Sequence, residues 1–163
     1  MLKIRYKKVK KLTLSQAGYV AGLIDGEGTI TLTYKKSKRG NKYRQLVVTI
    51  SNSDYELLKR VIDIIGAGKI TKKYPHNETQ ALGYAYQLTA QQALNLITQI
   101  YSYLQTYKRK RAQLVLEKYK KLTPRNGKYS REILRKREKF IKNFFAIAGI
   151  KKGILKTDPY IRV

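Results

Sequence analysis

Small residues recur at every fourth position near the N-terminus, at Gly18, Gly22 and Gly26, with Ala17 and Ala21 beside two of them. Glycine inside a helix costs roughly 1 kcal/mol relative to alanine, so a helix carrying three of them must be compensated elsewhere. Residues four apart share one helix face, and a face without side chains lets a second backbone approach closely. That steric argument holds in water as in lipid. The same stretch, Val20-Ala21-Gly22-Leu23-Ile24-Asp25-Gly26-Glu27-Gly28, closes on two carboxylates one residue apart, in a chain with ten acids against 36 lysines and arginines. Spacing alone leaves two readings open: a tight helix–helix contact followed by an acidic turn, or a helix pair that delivers carboxylates to a metal ion at its end.

The net charge of +26 implies a polyanionic partner, nucleic acid first and a membrane surface second. No continuous apolar run approaches the 18 or so residues a membrane span needs. Lys3 to Lys11 is basic but is not followed by an apolar segment with a small-residue cleavage site, so no signal peptide is expected. The expected location is intracellular, with the genome that carries the gene, organellar or prokaryotic. Cysteine is absent and His76 is the one histidine, which excludes thiolate zinc sites and a multi-histidine metal site within one chain. With 163 residues, one main folded unit is expected. It divides into a basic N-terminal arm at 1–12, a core at 13–122 and a helical extension at 123–163. The arm is either a solvated tail or a segment laid on phosphates.

Thr13 and Gln16 form a capping-box pattern, predicting a first helix from about Leu14 to Asp25. The periodicity then changes to two. Thr29, Thr31, Thr33 and Lys35 alternate with Ile30, Leu32 and Tyr34, and Arg44, Leu46, Val48 and Ile50 alternate with Gln45, Val47 and Thr49. These are two half-buried strands joined by a turn at 36–41. Ser53 or Asp54 caps a second helix that ends at Gly66-Ala67-Gly68. A second hairpin spans 69–74 and 82–89, with Pro75, Asn77 and Glu78 in its turn. Thr89 and Gln92 suggest another capping box, opening a helix from Ala90 to Leu104. Helices from Tyr107 to Leu122 and from Ser130 to Ile147 follow, the latter with Ile133, Leu134, Phe140, Ile141, Phe144 and Phe145 inward. The order is αββαββα with further helices, an α+β layer structure.

The stretch Val20 to Gly28 resembles the signature of LAGLIDADG homing endonucleases. Ala21, Gly22, Leu23, Ile24, Asp25 and Gly28 are identical to it, Val20 replaces the leading leucine, and Gly26-Glu27 stands where the family accepts Gly-Asp or Gly-Glu. Ile50-Ser-Asn52-Ser-Asp54, Ile65-Gly-Ala-Gly68 and the run from Lys108 to Leu116 resemble further family landmarks. The resemblance covers about residues 13 to 122 and implies an antiparallel sheet shaped as a saddle. It also implies a site-specific double-strand DNA endonuclease of the intron-encoded kind.

By that resemblance, Glu27 and the Gly26 carbonyl bind the metal beneath the scissile phosphate. Lys108 is the active-site lysine, and Asn52 orders waters. No second active-site basic residue is matched on that helix. Hard oxygen ligands without a Cys or His cluster favour Mg²⁺ over zinc, with Mn²⁺ as a substitute. One motif copy implies a homodimer on a pseudo-palindromic duplex, its interface formed by Gly18, Ala21, Gly22 and Asp25. Asp25 would bond the backbone of the partner helix. A two-stranded ribbon fits the major groove. The expected DNA contacts are Thr31, Thr33, Lys35, Gln45, Val47, Thr49, Thr71, Lys73 and Gln87 from the strands, with Val47 against a thymine methyl, joined by Arg44, Lys108 and Lys110. The competing reading is a relative that cleaves poorly and binds DNA or RNA, including an RNA-splicing maturase.

Overall fold

A computed structural model of the chain describes residues 7–36, 40, 42–73, 83–124 and 129–148. Helix α1 (Leu14–Glu27) opens on the expected capping box: Thr13 Oγ1 accepts from the Gln16 amide at 3.2 Å and Gln16 returns the bond to the Thr13 amide at 3.0 Å. The helix runs two residues past the expected end at Asp25, and Gly28 caps it by donating its amide to the Ile24 carbonyl. Strands β1 (Gly28–Lys36) and β2 (Lys42–Asn52) follow, then α2 (Tyr55–Ile65), β3 (Lys69–Lys73), β4 (Gly83–Thr89), α3 (Ala90–Ile100), a 3₁₀ turn at Tyr101–Tyr103, α4 (Tyr107–Lys118) and α5 (Arg131–Ala146). All pairings in the sheet are antiparallel, in the order β1-β2-β4-β3. The fold is thus the expected α+β arrangement. Most of the turn at 36–41, the second hairpin's turn with His76, most of the loop at 125–128 and the tail beyond 148 lie outside the described residues.

Period-two alternation divides the sheet. Ile30, Leu32, Leu46, Val48, Ile50, Tyr86 and Leu88 are at most 1% exposed and form one core with the apolar stripes of all five helices. Burying each such side chain contributes about 2 kcal/mol. Among the described residues the other face carries no helix contact of this kind and is largely polar. Tyr86 reaches under the sheet to donate to the Ala67 carbonyl at 2.7 Å, which satisfies its buried hydroxyl. The close passage requires Gly68, whose φ is +96° and where a Cβ would stand 2.6 Å from the Tyr86 ring and 2.9 Å from the Gln87 carbonyl oxygen. Gly68→Ala is therefore expected to destabilise the fold by about 3 kcal/mol, read as a lower urea midpoint with unchanged slope. An unaltered midpoint would show that the loop can yield.

Several local expectations are corrected. The Thr89–Gln92 capping box does not form: Thr89 makes no side-chain cap, Ala90 adopts φ +47°, and Gln92 Nε2 donates to the Lys7 carbonyl at 2.7 Å. Helix α3 stops at Ile100 rather than Leu104, and α4 at Lys118 rather than Leu122. The described part of the basic arm lies on the helix layer. The Lys10 amide donates to the Ile65 carbonyl at 2.8 Å and its ammonium to the Asp63 carbonyl at 2.9 Å, covering the end of α2 where a cation is favoured. Gln99 bridges Lys10 and Leu12 through its own donor and acceptor. On α5, Leu134 and Phe145 are exposed where burial was expected, and Arg137 is buried instead. Its guanidinium donates to the carbonyls of Leu122 (2.9 Å) and Arg44 (2.8 Å), fastening α5 to β2 and to the segment that follows α4.

Candidate nucleic-acid interface

Cross-strand register arranges the open face in rows. Thr33 faces Gln45; Thr31, Val47 and Thr89 form the next row; Thr29, Thr49, Gln87 and Lys69 span all four strands; Ser51, Ala85 and Thr71 follow. Lys35 and Lys73 stand exposed at opposite ends of this surface, with Lys73 donating to Ser51 Oγ at 2.7 Å. The expected side chains Thr31, Thr33, Lys35, Gln45, Thr49, Thr71, Lys73 and Gln87 thus share one surface of hydroxyl, amide and ammonium groups. Two others do not serve it. Val47 is 2% exposed, enclosed at the centre of the sheet between Thr31 and Thr89, so its methyls are withdrawn from the surface. Arg44 lies on the helix-covered face: it donates to the Leu32 carbonyl at 2.9 Å and stacks 3.6 Å over the Tyr34 ring. Thr29, on the polar side of the first strand's alternation, belongs to the open face too, and so do Ser51, Lys69 and Ala85, which the sequence pattern did not single out. Extending the period-two count by one residue at each strand would have found them.

Glu27 is the last residue of α1 and adjoins the strand that starts this face. Its side chain is exposed, and among the described residues it makes no hydrogen bond or ion pair. Helix α1 passes into β1 without a loop, which requires Gly28. A Cβ there would stand 2.6 Å from Ile24 Cα and 2.9 Å from the Thr49 carbonyl oxygen.

The joint is locked by the start of α4. Asp25 accepts from the amides of Gln105 (2.7 Å) and Thr106 (3.3 Å) and from the Thr106 hydroxyl. A carboxylate at a helix C-terminus is disfavoured by the dipole, but this one also sits at the N-terminus of α4, where it is favoured. Lys108 reciprocates: it is 6% exposed, and its ammonium donates to the carbonyls of Ile24 (2.7 Å) and Asp25 (2.8 Å). Burial pushes its pKa below the ordinary lysine value, opposed by the Asp25 carboxylate and reinforced by Arg111. Lys110 is exposed.

Asn52 terminates β2 with its Oδ1 accepting from the Asp54 amide at 2.8 Å, while Asp54 caps α2 by accepting from Leu57 at 3.1 Å. The Asn52 side-chain oxygen is thereby engaged in a turn. Arg111, which the sequence reading passed over, donates to the Ile30 carbonyl.

The four expected dimer residues separate. Gly22 and Gly26 are exposed, and a Cβ at either meets nothing within 4 Å. Together with Tyr19, 45% exposed, they form a bare strip along α1. Gly18 is covered within the chain by the Tyr103 ring at 3.7 Å from a would-be Cβ. Ala21 is fully buried in the core with Val20 and Ile24. Asp25 bonds the start of α4 in its own chain.

Among the described residues no three His, Asp or Glu side chains group closely enough to hold a metal ion. No described helix is long and apolar enough to cross a membrane.

Comparison with known proteins places this geometry. The chain is 39% identical over 69 residues to the intron-encoded DNA endonuclease aI3 of Saccharomyces cerevisiae, spanning 41% of this chain and 17% of that much longer relative. Its fold is similar to the homing endonuclease I-CvuI in complex with its target, with a TM-score of 0.66, 19% identity and 85% of each chain covered. The archaeal intron-encoded homing endonuclease I-Vdi141I complexed with DNA gives a TM-score of 0.57 and 18% identity over 88% of this chain and 89% of that one. I-LtrWI bound to target DNA gives 0.58 and 20% identity over 82% of this chain but 46% of the other. The sequence model of the LAGLIDADG endonuclease matches residues 20–123, more than half of the 163 residues, and the chain therefore belongs to the LAGLIDADG endonuclease family.

Proposed function

We propose that the chain is a site-specific, divalent-metal-dependent DNA endonuclease that works as a symmetric pair of copies on a long pseudo-palindromic duplex, of the intron-encoded kind. The observation that carries this reading is the place of Glu27. It is exposed and ends α1, next to the glycines of the α1 strip and to the first strand of the open sheet face. Pairing two such strips brings two Glu27 side chains together and sets two sheets side by side along one duplex. The comparisons support this stoichiometry: the chain matches most of I-CvuI but about half of I-LtrWI, as one repeat of a two-repeat assembly would.

Glu27 and the Gly26 carbonyl are hard oxygen donors on exposed residues, and they suit Mg²⁺. One chain supplies a single carboxylate, so two copies and the phosphate complete the donor set. When bound, the cation stabilises charge at the phosphodiester. The protein's own residues do the rest. Thr31, Thr33, Gln45, Thr49 and Gln87 offer donors and acceptors to base edges, while Lys35, Lys69 and Lys73 offer charge to phosphates. Lys108 spends two of its three N–H groups on α1 carbonyls. The third leaves a positive charge beside Gly26-Glu27, where a phosphate would sit.

Cleavage of a random duplex library with Mg²⁺, followed by sequencing of the cut ends, tests the proposal. A single recovered pseudo-palindromic site with a staggered cut is expected. Binding without cuts would move the reading to a nucleic-acid-binding relative, including a splicing maturase.

A further inference from the structure

Arg111 lies three residues past Lys108 on α4, and its half-buried guanidinium holds two parts of the chain at once. Nη1 donates to the Ile30 carbonyl of β1 at 3.1 Å, and Nε donates to the Ile147 carbonyl beyond the end of α5 at 2.8 Å. The rings of Tyr107 and Phe144 lie 5.0 and 4.9 Å from it and restrict its rotation. Lys108 holds the carbonyls of Ile24 and Asp25 from the same helix. Glu27 therefore stands between two anchored points, one before it and one after it.

We propose that Arg111 is a positioning residue for the Glu27 carboxylate, and that it couples the joint between α1 and β1 to the end of α5. The proposal rests on Glu27 being the reactive carboxylate. The need for external anchors follows from the sequence. Glu27 is flanked by Gly26 and Gly28, so its own neighbours restrain its backbone weakly. A carboxylate on such a joint takes its direction from whatever fixes the chain on either side. Lys108 fixes the helix side and Arg111 fixes the strand side. Arginine suits the second post because its rigid fork directs two donors toward carbonyls on two separate elements, β1 and the end of α5. Helix α5 lies outside residues 20–123, which match the family sequence, yet its terminal carbonyl holds the guanidinium in place. The C-terminal extension thus acts on the site from behind the sheet.

The test compares wild type with Arg111→Lys and Arg111→Gln in the full chain, using the duplex recovered from the library. Four quantities are read: the thermal midpoint, duplex affinity, the single-turnover cleavage rate with Mg²⁺, and hydrogen exchange along the chain. Affinity is expected to stay within about threefold of wild type while the rate falls about 30- to 100-fold, because an ångström of misplacement is enough for such a loss. Faster exchange should be confined to residues 26–31 and the end of α5, the two places that Arg111 holds. Equal losses of affinity and rate, or cutting at the wild-type rate, would overturn the proposal. If Arg111→Gln fails to fold, Arg111→Lys keeps the half-buried charge and carries the comparison. A wild type that cuts no duplex would sink the endonuclease reading itself. Even then, unchanged exchange at 26–31 in the lysine variant would remove Arg111 as an anchor, and faster exchange would retain it.

Discussion

Glu27→Gln is expected to bind target DNA as tightly as the wild type, or slightly more tightly, while cleavage falls by roughly a thousandfold. The two effects separate because the side chain has no structural duty. It is exposed and unpaired among the described residues, so the amide replaces it without cost to the core. The substitution removes a negative charge from a surface that must approach phosphates, which favours binding. It also removes the one carboxylate that each chain brings to a metal ion at this position, which leaves the phosphodiester without its charge clamp. Single-turnover kinetics on the selected duplex, with affinity measured in parallel, gives both numbers. Cutting at the wild-type rate would remove Glu27 from the chemistry, and loss of binding would mean that the carboxylate has a folding role that its exposure does not reveal.

Gly22→Leu should convert the assembly to single chains and abolish cutting, while making the isolated chain more stable. Within the chain, a side chain at Gly22 meets open space, so it creates no clash. Leucine is favoured over glycine in a helix by about 0.8 kcal/mol. The thermal midpoint of the dissociated chain should therefore rise. Between two copies the same side chain fills the strip along which the backbones must approach, and the contact cannot close. Sedimentation of wild type and variant at matched concentrations decides it. An unchanged mass, whether one chain or two, would refute the role of the strip. At a dilution where the wild type is also a single chain, a lower midpoint for the variant would show that Gly22 is constrained by its own chain instead.

The helices, strands and their faces were legible because local pattern and tertiary demand agree. The alternation around Ile30 and Leu32 marks a half-buried strand, and the core face is built from those residues. The limits are equally physical. Thr13–Gln16 and Thr89–Gln92 carry the same capping pattern, but only the first forms: at the second, Ala90 takes φ +47°, and Gln92 turns its amide to the Lys7 carbonyl, 85 residues away. Composition marks lysine and arginine as surface residues, yet Lys108 and Arg137 are buried because main-chain carbonyls receive them. Every residue has a carbonyl, so no sequence signal names such a partner. A faint signal exists for Lys108: it lies on the buried stripe with Ala112, Val115 and Tyr119, at the spacing of one helix face. Ala21 could have been excluded from the dimer strip by the same count, since it falls with Ala17 and Ile24 on the core side. Val47 could not, because its parity is that of the open face and its burial comes from flanking strands.

The strand order has a bearing on how such a protein survives before it meets a partner. An open four-stranded sheet leaves two rims, β1 and β3, where a foreign strand could add on and start an aggregate. On β1, the Ile30 and Leu32 carbonyls are already taken by Arg111 and Arg44, so part of the template for recruitment is occupied from within. On β3, the strand is five residues long and displays exposed Lys69, Lys72 and Lys73, which repel another copy of the same basic chain. The open sheet is thus kept from pairing edge to edge with its own kind by guanidinium caps on one rim and ammonium charge on the other.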